Sequence, residues 1–160
     1  MFSTVILSLE GINLRRGYIV KEMSIHFPQD NSFRHYFFRR PQNMTLTPED
    51  KNTCYYATKV LGGLGMNEAS NGSLDNPIHI SILRSLSHFR ILVVGNVAKL
   101  YVQAILPTTE VKDLQEISSF RYPSTLPTAR CGFEHNPRYC SLAKLKCVKD
   151  FATRNPGIME

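Results

Sequence analysis

No apolar run in the chain approaches the ~20 consecutive residues that a membrane-spanning helix needs, so a soluble protein without membrane partners is expected. The opening residues Met1 to Glu10 lack the basic segment and small-residue cleavage site of a secretory leader. An intracellular location, cytoplasm or nucleus, follows as the expectation, and the four cysteines then read as thiols rather than two disulfides. Low-complexity tracts and internal repeats are absent too, which argues against a disordered scaffold or a solenoid. Several catalytic signatures are missing as well. Gly62-Gly63-Leu64-Gly65 is followed by no Lys-Ser/Thr to grip a phosphate, and there is no G-x-G-x-x-G, no G-x-S-x-G and no H-x-E with a later P-C-x-x-C.

Acids are scarce: 13 Asp and Glu face 19 Lys and Arg, for a formal charge of +6 and a pI near 9.3. Such a surplus favours polyanionic partners through release of their counterions. With 160 residues the chain can remove roughly 70% of its unfolded surface from water without disulfide staples, so we expect one domain over residues 1–155 with a short tail, 156–160.

Hydrophobic patterning gives the element order. Phe2 to Ile12, Tyr18 to Phe27 and Phe33 to Arg39 are β-rich runs with short polar connections, the pattern of an antiparallel three-strand meander. Thr47-Pro48-Glu49-Asp50 then offers an N-cap, a first-turn proline and a capping-box acid for a helix that stops at Gly62-Gly63. A second helix starts at Asn76-Pro77, with Ile78, Ile82, Leu86 and Phe89 on one face. Arg90 to Gly95 reads as a strand covered on both faces, leading into a helix from Asn96 to Leu106. Val111 to Ile117 reads as one more strand, and Leu142, Leu145, Val148 and Phe151 mark a closing helix. The expected class is α/β, a mixed sheet with helices on both faces.

The densest chemistry lies near the end, in Cys131-x3-His135-x4-Cys140. Two thiols and an imidazole within ten residues can supply three of the four donors of a tetrahedral zinc, with the fourth coming from elsewhere. A pair of inert buried thiols and a surface histidine is the plainer reading. Cys140 precedes Ser141, the expected N-cap of the closing helix, and a helix N-terminus favours the thiolate. Cys54 and Cys147 fall on apolar helical stretches and read as packing residues.

The run Gly17-Tyr18-Ile19-Val20-Lys21-Glu22-Met23-Ser24-Ile25-His26-Phe27 resembles the first hairpin of the Maelstrom domain, in which a strand glutamate joins a late Cys, His and Cys. It is also similar to a group of invertebrate proteins marked by a "vvKEl" strand and a distant "C…H….C". The resemblance implies the ribonuclease H-like fold of the DnaQ-type exonucleases, whose element order the chain shares. It also implies an acidic tetrad replaced by Glu22, Cys131, His135 and Cys140 around a structural Zn²⁺. In an extended strand Glu22 shares its side with Val20 and Ser24, while Ile19, Met23 and Ile25 face the other way, so both sides look enclosed. A buried carboxylate is costly unless paired, and a dication relieves that cost. The alternative is a sheet-edge glutamate that meets Lys21, an arginine or water.

Two-metal phosphodiester hydrolysis is not expected, because the first strand keeps Glu10 but has Ser8 where a second acid is needed, and Asn96-Val97-Ala98-Lys99 carries none. Glu10, Asp75, Asp113 and Glu134 are the acids that remain to be placed. The resemblance also implies cleavage of single-stranded RNA by a route independent of the tetrad, for which Arg130, His135, Arg138 and Lys146 are the candidates beside Glu10. For contact with single-stranded RNA or DNA, Arg34, Tyr36, Phe38 and Arg40 share one strand side and pair cations with rings, and Arg15-Arg16 can extend the patch. The plainer reading puts those rings in the core and the arginines at the sheet margin. A catalytically silent nuclease fold that serves protein partners is the rival function.

Overall fold

The computed structural model describes residues 3–66, 73–129, 131 and 135–160. Strands β1 (Thr4–Leu14), β2 (Gly17–Phe27) and β3 (Ser32–Phe37) form the antiparallel meander. Arg15-Arg16 is the whole of the first turn, and Gly17, at φ +137°, takes the backbone there where a side chain would be strained. Strand β4 (Arg90–Val93) adds to the far side of β1 in parallel, and β5 (Val111–Asp113) adds to β4 likewise. The result is a five-stranded mixed sheet in the order β3-β2-β1-β4-β5.

The helices are α1 (Pro48–Tyr55), α2 (Ile78–Arg84), α3 (Asn96–Ile105), α4 (Leu114–Ile117) and α5 (Ser141–Arg154). Thr47 caps α1 through a reciprocal box with Asp50, as its sequence indicates. The α-helical pitch ends at Tyr55, short of Gly62, and the chain widens into a π turn over Tyr56–Val60. Val111 to Ile117 is not one strand. Asp113 accepts hydrogen bonds from the Gln115 amide (2.9 Å) and the Gly95 amide (2.8 Å), so the strand stops there and α4 starts. In the C-terminal tail, residues 156–159 form a 3₁₀ turn, the Thr4 hydroxyl donates to the Met159 carbonyl, and Ile158 and Met159 pack beside α5.

Two apolar layers cover the sheet. One joins Val5, Leu7, Met23, Ile25, Ile91 and Val93 to Leu83 and Val102 of α2 and α3. The other joins Ile6 and Leu92 to Leu142, Leu145 and Val148 of α5. Alternate residues of β1 and β4 therefore enter opposite layers, and each such side chain contributes about 1.5–3 kcal/mol by leaving water. Among the described residues no helix is long and apolar enough to cross a membrane.

One irregularity sets the geometry of β2. Glu10 pairs with Glu22 but Gly11 pairs with Val20, so Lys21 is an extra residue, a β-bulge. The bulge flips the alternation. Val20 joins Met23 and Ile25 in the first layer rather than sharing the side of Glu22, contrary to simple period-two reading. The bulged Lys21 is itself buried and donates to the Met66 carbonyl at 3.0 Å.

Buried His79 bridges the Asn76 carbonyl and the Tyr101 hydroxyl, each at 2.5 Å. Burial pushes its pKa down, only partly offset by the Asn76 contact, and burial does the same to His26. A folded pKa below the unfolded value of ~6.5 means that this stability is complete above pH ~6.5 and is lost as pH falls towards the depressed value. The urea midpoint is therefore expected to fall below that pH, and His79→Gln to make the fall shallower. An identical pH slope in the variant contradicts this.

Candidate metal centre

Beyond the bulge, Glu22, Ser24 and His26 all point to the α5 side of the sheet. Ser24 and Ser141 share a 2.6 Å hydroxyl contact, and the Ser141 amide donates to Glu22 Oε1 at 2.9 Å. Ser141 is thus the first residue of α5, and Cys140 takes the N-cap position that the sequence reading gave to Ser141. Cys131 and His135 lie on the loop before it. That loop is held from outside by Asn136, whose amide nitrogens donate to the carbonyls of Gly62 (2.8 Å) and Leu61 (3.0 Å).

The donor atoms of Glu22, Cys131, His135 and Cys140 all lie within 4.8 Å of one another. His135 Nε2 is 3.3 Å from Glu22 Oε1, Cys140 Sγ is 3.7 Å from Glu22 Oε2, and His135 Nδ1 is 3.9 Å from Cys131 Sγ. A tetrahedral ion with bonds of 2.0–2.3 Å has donor-to-donor edges of roughly 3.3–3.8 Å, so donors that lie within 4.8 Å of one another, one from each residue, draw together by up to about 1 Å to close on a metal. Glu22 is fully buried, Cys140 is 2% exposed, and the His135 side chain is 2% exposed. Four donors at one buried point, from two segments more than a hundred residues apart, can hold a metal ion.

The electrostatics of the protein groups alone explain why the site suits a cation. Burial raises the Glu22 pKa, but hydrogen bonds from His135, His35 and the Ser141 amide outweigh it and bring it to about 2. Burial and then the Glu22 charge push the Cys140 thiol up, opposite to the helix-terminus effect anticipated from sequence. A bound dication reverses that balance, since it holds the thiolate directly.

His35 is the residue that sequence reasoning missed. It lies on β3 opposite Ser24, diagonal to Glu22, and its Nε2 sits 2.5 Å from Glu22 Oε2 with the side chain 17% exposed. It stands outside the four-donor set and fixes the carboxylate from behind. Removing such an orienting partner typically costs 10–100-fold in metal affinity. His35→Phe is expected to weaken zinc in a chelator competition by about that factor while leaving one site per chain. Unchanged affinity contradicts the role.

The other candidates do not converge in the same way. Glu10, opposite Glu22 across the bulge, is held by Lys144 at 2.5 Å, and burial raises its pKa. Asp75 pairs with Arg39 at 3.2 Å, and Asp113 is the α4 cap. Arg138 donates to the Ser124 carbonyl at 3.0 Å, and Lys146 is exposed on α5. Arg130 and Glu134 lie outside the described residues.

The proposed base-stacking strand is corrected by its burial. Phe38 is 1% exposed and Tyr36 packs against the first layer, so neither ring is presented as a platform. Arg34 lies over the Phe27 ring at 5.1 Å, and Arg40 donates to the Met44 carbonyl. Arg15 pairs with Glu49 at 3.3 Å and Arg16 donates to the Thr45 carbonyl at 2.8 Å, both exposed. No protein-family model, curated protein or solved structure matches the chain.

Proposed function

We propose that the chain is a zinc-stabilised domain of the ribonuclease H-like class, akin to the Maelstrom domain, that acts on single-stranded RNA or DNA. The convergence of Glu22 with Cys131, His135 and Cys140 carries this reading, because it joins the two motifs on which the resemblance rests. A meander followed by parallel crossovers, with α5 laid across β1 and β2, supports the same kinship. Zinc supplies a rigid tie there: with four protein donors no position stays open for water, and its role is structural. Glu22 and Cys140 clamp the start of α5 to β2, and His135 and Cys131 anchor the loop that precedes it. The nucleic-acid partner is supported by the charge of +6 and by the exposed arginines of the first turn.

Exposed Val97 and Leu100 on α3 favour a second reading, a protein-binding scaffold on the same fold. Equilibrium binding of labelled single-stranded RNA and DNA separates the two. Affinity that falls steeply with salt and weakens in Arg15→Ala/Arg16→Ala supports the first, and no binding at low salt removes it. Cleavage that survives chelation of Mg²⁺ favours the tetrad-independent route.

A further inference from the structure

Next to the metal centre, where Gly11 and Lys21 form the bulge, the π turn at Tyr56 stands away from the sheet and leaves a cavity of about 220 Å³. Two backbone irregularities, a bulge and a π turn, face each other across it, and both recur at functional sites. Its walls are mainly apolar, and half-buried Glu10 and buried Lys21 bring two charges to it. Ile12, Leu61, Leu64, Gly63 and Tyr139 are among the other lining residues. A Cβ on Gly63 would stand 3.2 Å from the Ala57 carbonyl and 3.4 Å from Tyr139 Cβ, so glycine lets the chain pack closely between the π turn and Tyr139.

Tyr56, which lines the cavity, is 55% exposed. The cavity is smaller than the roughly 300–1,000 Å³ of a drug-sized site, which limits it to about one ring system.

We propose that this cavity takes a single unpaired nucleobase of a single-stranded nucleic acid. The inference rests on the nucleic-acid reading above and names the part of the strand that is recognised. Every base has a π face for a tyrosine wall, here Tyr56 and Tyr139, and the net charge of +6 suits the phosphates on either side. The Glu10 carboxylate offers acceptors and the Lys21 ammonium donors, so a base with both an exocyclic amine and a carbonyl, such as guanine, is matched. Asn136 ties Leu61 and Gly62, at the rim, to the loop that holds His135, and Tyr139 is one residue from Cys140. The metal-binding loop thus builds one wall of the cavity.

The test uses the full zinc-loaded chain and two probes. In protein NMR, guanosine 5′-monophosphate is expected to shift the Gly11, Gly63 and Leu64 amides, and ribose 5-phosphate, which has the phosphate but no base, is not. In oligonucleotide binding, Ala57→Phe, which fills the cavity, and Tyr56→Ala, which removes an exposed wall, are each expected to weaken affinity about 5- to 150-fold. Unchanged zinc stoichiometry in both variants shows that the fold is kept, and Tyr56→Ala carries the test alone if Ala57→Phe does not fold. Wild-type affinity in Tyr56→Ala, with the same amide shifts from both small probes or none from either, overturns the pocket while leaving nucleic-acid binding intact. A chain that binds no oligonucleotide at low salt overturns both.

Discussion

Glu22→Gln is expected to strip the metal from the chain and to lower its unfolding free energy by about 3–5 kcal/mol, the cost of breaking one partner of a buried charged network. Glutamine keeps the shape of the side chain, so a packing role alone predicts little change. The network is what the substitution breaks. Glu22 is fully buried with His35, His135 and the Ser141 amide all turned towards it, and an amide can offer an oxygen to only one side of that ring of donors. The NH₂ that replaces the other oxygen faces donors, and the anionic ligand is gone. Urea denaturation with parallel metal analysis reads both effects. A variant that keeps one metal per chain and its stability contradicts the role given to this carboxylate.

The second large effect is expected from a residue that touches no metal. Gly11→Ala would place its Cβ 2.0 Å from the Ile19 carbonyl oxygen and 2.9 Å from its carbon. Both are backbone atoms of the neighbouring strand, so no side chain can turn aside, and the bulge itself must open. Overpacking typically costs about 1–3 kcal/mol, and a clash with immovable backbone lies at the upper end of that range. Because the bulge decides which side of β2 faces α5, its loss should also turn Glu22 away from Cys140 and lower metal content. Gly157→Ala, where nothing lies within 4 Å, is the control, and its stability should stay within about 0.5 kcal/mol of wild type. Equal stability for the two variants contradicts the account of β2.

Local signals were legible where they acted alone. The first turn, which the sequence places within Asn13 to Gly17 and the pairing narrows to Arg15-Arg16, the Thr47 capping box and the apolar run before Gly95 each specify an element through chemistry confined to a few residues. Asp113 shows the limit: its side chain caps both Gly95 and Gln115, and a cap outweighed the strand-like pattern of the residues after it. The bulge was not legible, because it depends on register between two strands, and its one-residue offset sent Val20 to the opposite layer. Alternation along β3 put Tyr36 and Phe38 on a common side, but not which side, and it is the core that receives them. His35 escaped notice for the same reason, since only the pairing of β2 with β3 brings it to Glu22. The spacing of Cys131, His135 and Cys140 was visible in the chain itself. Their meeting with Glu22 required the sheet to place β2 beside the start of α5.

Zinc K-edge X-ray absorption on the purified chain tests the central claim most directly. The account predicts one zinc per chain, with two sulfur neighbours at about 2.3 Å and two nitrogen or oxygen neighbours at about 2.0–2.2 Å. A chain that retains no zinc, or one whose zinc has only nitrogen and oxygen neighbours, contradicts it.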